Sequence, residues 1–313
     1  MRFQLTLLGT SGSVPAYGRH CSGVVLSTDT TDVLIDCGEG TQYQLQRAGI
    51  GPGKLSDILI THLHGDHYFG LPGLISSLAL SGRRKPLRIT SPEHLRPRLA
   101  ALFELDRFPM PFALEFRTLH ATEMTALGNV GDLEVFAFPL RHRVPTNGYL
   151  LRERPRQRNI RKNVIPEYDI PYQLIPGIKA GNDFVRPDGT VVANDLLTLP
   201  PPRSRSFAYC SDTIYFPELA NHVRDVDLLY HEATFLSDMG EDATKKGHST
   251  AAQAATVARD AGAERLIMGH FSSRYPRTEA HEAEARAVFL ASDAGKDLAQ
   301  YEVPFRRAET RTS

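Results

Sequence analysis

The stretch Thr61-His62-Leu63-His64-Gly65-Asp66-His67 sets three imidazoles and one carboxylate within six consecutive positions, in a chain holding 12 histidines among 313 residues. It follows the apolar run DILITH (57–62), which reads as a strand. In an extended segment alternate side chains share a face, so His62 and His64 can grip one ion. Gly65 permits a sharp turn. Asp66 and His67 can then face a second ion. Imidazole and carboxylate suit zinc and similar ions, and paired metals in hydrolytic sites stand ~3.5–4 Å apart.

Two ions need more ligands than one loop supplies. His142 follows the apolar run LEVFAFPL (133–140), Asp212 follows SFAYCS and His270 follows RLIMG. Each lies at the C-terminal end of an expected strand, where α/β folds gather site residues. The count then closes. His62, His64 and His142 form one set, and Asp66, His67 and His270 the other. Asp212 can bridge them with its two oxygens.

Strands are expected near residues 3–7, 24–28, 32–38, 57–62, 87–90, 112–119, 133–140, 148–153, 206–212, 227–233, 265–271 and 301–305. Residues between 119 and 133 read as a Gly/Asn/Asp turn. Helices are expected over 39–48, 70–80, 92–102, 251–263 and 279–292. Two β-rich halves with helices outside imply an α/β, four-layer αββα sandwich. With 41% apolar and 23% charged residues, global disorder is excluded. Lys+Arg and Asp+Glu are 36 each, which excludes a uniformly basic coat but not a local basic patch.

The motif HLHGDH is the HxHxDH signature of the metallo-β-lactamase superfamily. GTSGSVP (9–15), DCGEGTQYQL (36–45), THLHGDHYFGLPGL (61–74), SDT (211–213), HEATF (231–235), GHSTAAQAA (247–255) and HFSSRY (270–275) together resemble short-form tRNase Z. That family removes the 3′ trailer of precursor tRNA. The resemblance implies a single metallo-β-lactamase domain over 1–313, two Zn²⁺ per subunit, and the seven ligands above. It places Asp66 as proton acceptor and His248 as the second catalytic histidine. It further implies a cut after the discriminator nucleotide, leaving a tRNA 3′-hydroxyl and a trailer 5′-phosphate. His248 lies in a loop before a helix, with Ser249 or Thr250 as N-cap, and reads as exposed. Glu232 can accept a hydrogen bond from its imidazole and favour the protonated form. His231 reads as structural or as a support for the site. A water nucleophile needs no 2′-hydroxyl, so any RNA preference would arise in binding.

Phosphate contacts dominate nucleic-acid affinity. Residues 152–162 carry Arg152, Arg154, Arg156, Arg158, Arg161 and Lys162 against one Glu. The family has a flexible arm at the matching place, so residues 152–200 are expected to be an inserted, projecting tRNA-binding arm. Pro166, Pro171 and Pro176 disfavour long helices in it. Arg274 is a further substrate-binding candidate, and Ser81–Lys85 a second basic loop. The family is typically a homodimer. The helix after His67, with Phe69, Leu71, Leu74, Ile75 and Leu78, could offer the apolar surface. A dinuclear-zinc small-molecule phosphodiesterase or arylsulfatase of the same superfamily is the alternative, against which the basic arm argues. His20, His94, His120, His222 and His281 fall outside these motifs and read as structural or surface residues.

The three cysteines form no CxxC pair, which favours a reducing compartment. No apolar run approaches the ~20 residues that span a bilayer. The alternating apolar residues of the N-terminus read as a strand and not a signal peptide. The chain is accordingly expected in the cytoplasm, without a membrane partner.

Overall fold

Short runs rich in Val, Ile and Leu pair into two seven-stranded mixed sheets; the computed structural model describes residues 1–51 and 53–305. The strands are β1 (Phe3–Gly9), β2 (Gly23–Thr28), β3 (Asp32–Ile35), β4 (Leu55–Leu59), β5 (Leu87–Ser91), β6 (Leu114–Thr118), β7 (Thr125–Val130), β8 (Leu133–Leu140) and β9 (Thr146–Glu153). Four strands of two residues follow, β10 (Asn159–Ile160), β11 (Phe184–Val185), β12 (Val191–Val192) and β13 (Thr198–Leu199). The series closes with β14 (Ser206–Cys210), β15 (Leu228–Glu232), β16 (Leu266–Gly269), β17 (Ser292–Ala294) and β18 (Gln300–Glu302).

The first sheet runs β18-β1-β2-β3-β4-β5-β6 and the second β17-β16-β15-β14-β9-β8-β7. Strands β3 to β6 are mutually parallel, as are β14 to β17. The C-terminal ends of each parallel set therefore lie along one edge, the place for a site. The sheets share a core in which Leu5, Leu26 and Ile35 of one meet Val135, Tyr149 and Phe207 of the other. The outer face of the first sheet packs Val25, Leu34 and Ile58 against Leu71, Leu74, Ile75 and Leu78 of helix Leu71–Leu80. The outer face of the second packs Ala208 and Leu229 against Ala254, Ala255 and Ala258 of helix Ala251–Ala261. These are the four layers of an αββα sandwich.

Several elements differ from the sequence reading. The 57–62 strand ends at Leu59, leaving the ligand segment as loop. Part of the expected turn before residue 133 is β7, an edge strand paired only with β8. An edge needs little apolar content, so its pattern is weak. The last helix stops at Arg286. Helix Gly240–Lys246 buries only Ala243 and carries no apolar period to read. In the helix after His67, Leu71, Leu74, Ile75 and Leu78 are core; Phe69 and Leu80 are exposed.

The described residues divide into two compact units, Met1–Arg152 with Ser206–Val303, and Glu153–Arg205 with Pro304 and Phe305. The second unit has its own small core of Val164, Ile170, Ile178, Phe184, Val192 and Leu197. Its helices Val164–Glu167, Ile175–Lys179 and Asn194–Leu197 are about one turn each, the first two holding Pro166 and Pro176. The Arg205 guanidinium is buried and donates to Glu153 Oε1 at 2.7 Å and Oε2 at 2.9 Å. Among the described residues, no helix is long and apolar enough to cross a membrane.

Candidate active site

The loop after β4 turns at Gly65 into the one-turn helix Gly65–Tyr68. A Cβ on Gly65 would meet the exposed Phe69 ring at 2.4 Å, so a larger residue there would push that ring aside. The turn brings Asp66 and His67 under His62 and His64. His142 arrives from the end of β8, Asp212 from β14 and His270 from β16.

These seven side chains form two adjoining sets. In the first, His62 Nε2 is 3.0 Å from His64 Nδ1, and His142 Nε2 is 3.3 Å from the same atom. Asp212 Oδ2 lies 3.5 Å from His62 Nε2 and 3.7 Å from His142 Nε2. In the second, His67 Nε2 is 3.3 Å from His270 Nε2 and 3.5 Å from Asp66 Oδ2. Asp212 Oδ1 stands 3.4 Å from His67 Nε2 and 3.2 Å from His270 Nε2. Bonds of about 2.0–2.1 Å to a tetrahedral ion would set ligand atoms roughly 3.3 Å apart. Asp212 gives one oxygen to each set.

The donor chemistry fits divalent cations. Burial pulls His62, His64 and His142 below the usual imidazole range, toward the neutral form that ligates. Burial works against ionisation of Asp66 and Asp212, but the surrounding histidines outweigh it and hold both carboxylates far below their ordinary range. Burial also opposes charge on His67, yet Asp212, Asp66 and Asp36 raise it well above its ordinary value. Buried carboxylates that must be balanced by shared imidazole protons are a cation site in waiting.

The second ring nitrogens are held as well, which fixes ring orientation. His142 Nδ1 donates to Gly247 O at 2.7 Å. His270 Nδ1 meets Thr234 Oγ1 at 2.8 Å, and His62 Nδ1 meets Thr61 Oγ1 at 3.0 Å. His67 Nδ1 is 2.8 Å from Asp36 Oδ2. Asp36 also accepts from Thr61 N and from the Tyr209 hydroxyl. Sequence reasoning assigned Asp36 no role, because a single carboxylate after the apolar run DVLI has no distinguishing mark. The N-terminal loop contributes too: Ser13 N donates to Asp66 Oδ2 at 2.7 Å.

His248 is only 8% exposed, contrary to the exposed position expected for it. Its loop is pinned by a capping box in which Thr250 and Gln253 bond reciprocally, and Gly247 at φ 82 leaves no room for a Cβ beside His142. His248 Nδ1 lies 2.9 Å from Glu232 Oε1. Burial lowers its affinity for a proton, but Glu232 and Asp212 reverse this and raise it to about 9. Glu232 is itself fully buried and accepts from Thr213 N and Thr234 N. With Nδ1 committed, Nε2 is the atom free to hand over a proton. His231 is buried away from the ligands, with Nδ1 bound to Glu232 O at 2.6 Å.

The basic segment divides in two. Arg156 pairs with Glu153 at 3.0 Å, Arg158 pairs with Asp195, and Arg161 donates to Thr198 O. Arg154 and Lys162 are exposed. Arg152 lies over the Phe136 ring at 6.0 Å. Arg274 is exposed. Arg83, in the other basic loop, donates to the carbonyls of Leu55, Lys85 and Pro86 and so holds the turn together.

Known proteins bear on this arrangement. A family model of the metallo-beta-lactamase superfamily matches residues 16–161, and one of the beta-lactamase superfamily domain matches residues 197–271. A protein of Porphyromonas gingivalis named Ribonuclease Z is 39% identical over 295 residues, covering 94% of this chain and 97% of that protein. One from Bacteroides thetaiotaomicron, also named Ribonuclease Z, is 39% identical over 288 residues, covering 92% and 91%. The crystal structure of human tRNase Z, short form, superimposes with a TM-score of 0.69 at 26% identity, covering 96% of this chain and 99% of that one.

Proposed function

This chain belongs to the ribonuclease Z family, and from that membership we propose a reading in which its buried His/Asp centre holds two zinc ions and cuts precursor tRNA directly after the discriminator nucleotide. At the coarser level it is an endoribonuclease of tRNA 3′ processing. What carries the finer reading is the junction of the His62, His64, His142 set with the Asp66, His67, His270 set through the two oxygens of Asp212, with the His248–Glu232 pair beside them.

When bound, the ions would make a water molecule acidic and draw charge from the phosphoryl oxygens. His62, His64, His142 and Asp212 would hold one ion, and Asp66, His67, His270 and Asp212 the other. Asp66 is positioned by Ser13 N and takes the proton of the attacking water. As the new oxygen–phosphorus bond forms, the bond to the 3′-oxygen of the discriminator breaks. His248 Nε2 gives that oxygen its proton, and Glu232 stabilises the imidazolium beforehand. The products are a tRNA 3′-hydroxyl and a trailer 5′-phosphate. The proton on Asp66 returns to solvent and His248 is recharged. The exposed cations of the Glu153–Arg205 unit and Arg274 attract the tRNA phosphates. Exposed Tyr43, Phe69 and Leu80 supply apolar surface for a homodimer, and the free thiols suit the cytoplasm.

The test is cleavage of a 3′-extended precursor tRNA by the purified protein, with zinc content measured alongside. A single cut after the discriminator, reduced about 10³-fold by His248→Ala, supports the reading. Zinc bound, no cut, and turnover of a small phosphodiester would replace it with the small-molecule phosphodiesterase.

A further inference from the structure

Beside the metal centre lies a cavity of about 330 Å³ that the reaction as described does not use. Leu63, Val144 and Pro145 line one wall of it. Leu63 separates the ligands His62 and His64, and Pro145 comes three residues after His142, so this wall backs onto the first ligand set. His94, Arg98 and His120 also line it and are exposed. Glu93 is the acidic residue among them. Arg98 donates to the Tyr68 hydroxyl at 2.9 Å and stands over its ring at 5.7 Å. Tyr68 directly follows the ligand His67. His94 adopts φ 77 as the N-cap of helix Leu95–Phe103.

The chemistry suits a nucleotide. Leu63, Leu119 and Pro145 give an apolar floor for a base, while a guanidinium and two imidazoles offer donors to a phosphate. The position says which nucleotide. Glu232 closes β15 of the second sheet, and His248, in the loop before helix Ala251–Ala261, stands against it and next to Phe235. They serve the 3′-oxygen that leaves with the tRNA. The cavity stands at the ends of β5 and β6, in the first sheet. The fragment that keeps the phosphate is the trailer, and it departs away from His248.

We propose that this cavity binds the first trailer nucleotides, with a base against Leu63 and Pro145 and a phosphate on Arg98. The proposal rests on the reading of the centre as a trailer-removing nuclease. It assigns a role to His94 and His120, which the sequence leaves as surface residues.

The experiment is product inhibition of precursor cleavage by two probes, a 5′-phosphorylated trinucleotide and a tRNA ending at the discriminator. Equilibrium dialysis of the trinucleotide with the full-length, metal-loaded protein runs in parallel. Arg98→Ala should weaken inhibition and binding by the trinucleotide about tenfold. Inhibition by the tRNA should change less than about twofold, since its contacts lie elsewhere. His120→Ala, on a separate strand end, should repeat the pattern if Arg98→Ala disturbs the fold. Weakening of the tRNA probe alone, or of neither probe, overturns the proposal. Should the wild-type protein cut no precursor, the nuclease reading falls, and dialysis still decides whether the cavity takes the trinucleotide.

Discussion

At the ligand edge of the first unit the charges are buried and each is fixed by a named neighbour; in the Glu153–Arg205 unit the charges either tie the unit together or stand in solvent. Asp36, Asp66, Asp212 and Glu232 are all partly or wholly enclosed, and each accepts a hydrogen bond from a backbone amide or a hydroxyl. Arg154 and Lys162, by contrast, are exposed on a unit whose core is six apolar side chains. Chemistry on a phosphorus centre needs preorganised charge that costs no reorganisation during the reaction. Capture of a large polyanion needs charge that reaches outward and is screened by salt. On the proposed reading, the buried edge of the first unit meets the first demand and the exposed cations of the second unit meet the other.

The sharpest way to break the comparison is at the shared ligand. Asp212→Ala removes one oxygen from each set at once. Zinc content should fall from about two to below one per chain, and precursor cleavage should drop by at least about 10³-fold. Metal analysis and single-turnover cleavage read the two effects. Retention of two ions would mean that the sets are independent and that Asp212 does not bridge.

A subtler change is at the carboxylate behind His67. Asp36→Asn keeps the shape and a hydrogen bond to the ring but removes the charge that favours the ligating tautomer. The expected loss is about 10–100-fold in zinc affinity, measured by competition with a chelator of known strength. Unchanged affinity would show that the fold alone orients His67.

What could be read from the chain follows the same division. His62, His64, Asp66 and His67 are legible because they are contiguous and their types are rare together. His142, Asp212 and His270 are far apart, yet each closes an apolar run, and strand ends of a parallel sheet converge. Asp36 was not legible: a single Asp after DVLI is ordinary until Thr61, His67 and Tyr209 meet it in space. The burial of His248 depends on Gly247 packing against His142 and on Glu232 arriving from another strand, none of which has a local mark. The core of the second unit escapes pattern reading for another reason. Apart from Ile170, which lies in a loop, its buried residues sit in two-residue strands and one-turn helices, too short to display a period of 2 or 3.6.

The outer charges of the second unit provide the smallest and most specific effect. Of its cations, Arg156, Arg158 and Arg161 already satisfy Glu153, Asp195 and Thr198. Neutralising those would loosen the unit and confuse binding with folding, as would deleting 154–180, which removes Val164, Ile170 and Ile178 from its core. Arg154→Gln with Lys162→Gln avoids both problems. If each cation meets one phosphate, the double variant should raise KM for precursor tRNA about tenfold at physiological salt and lower the log–log salt slope by roughly 1.4–1.8, because each lost contact releases fewer counterions. A salt series of KM tests this. An unchanged slope would remove those two residues from the RNA path, and the comparison would then rest on the buried edge and on surfaces of the first unit such as Arg274.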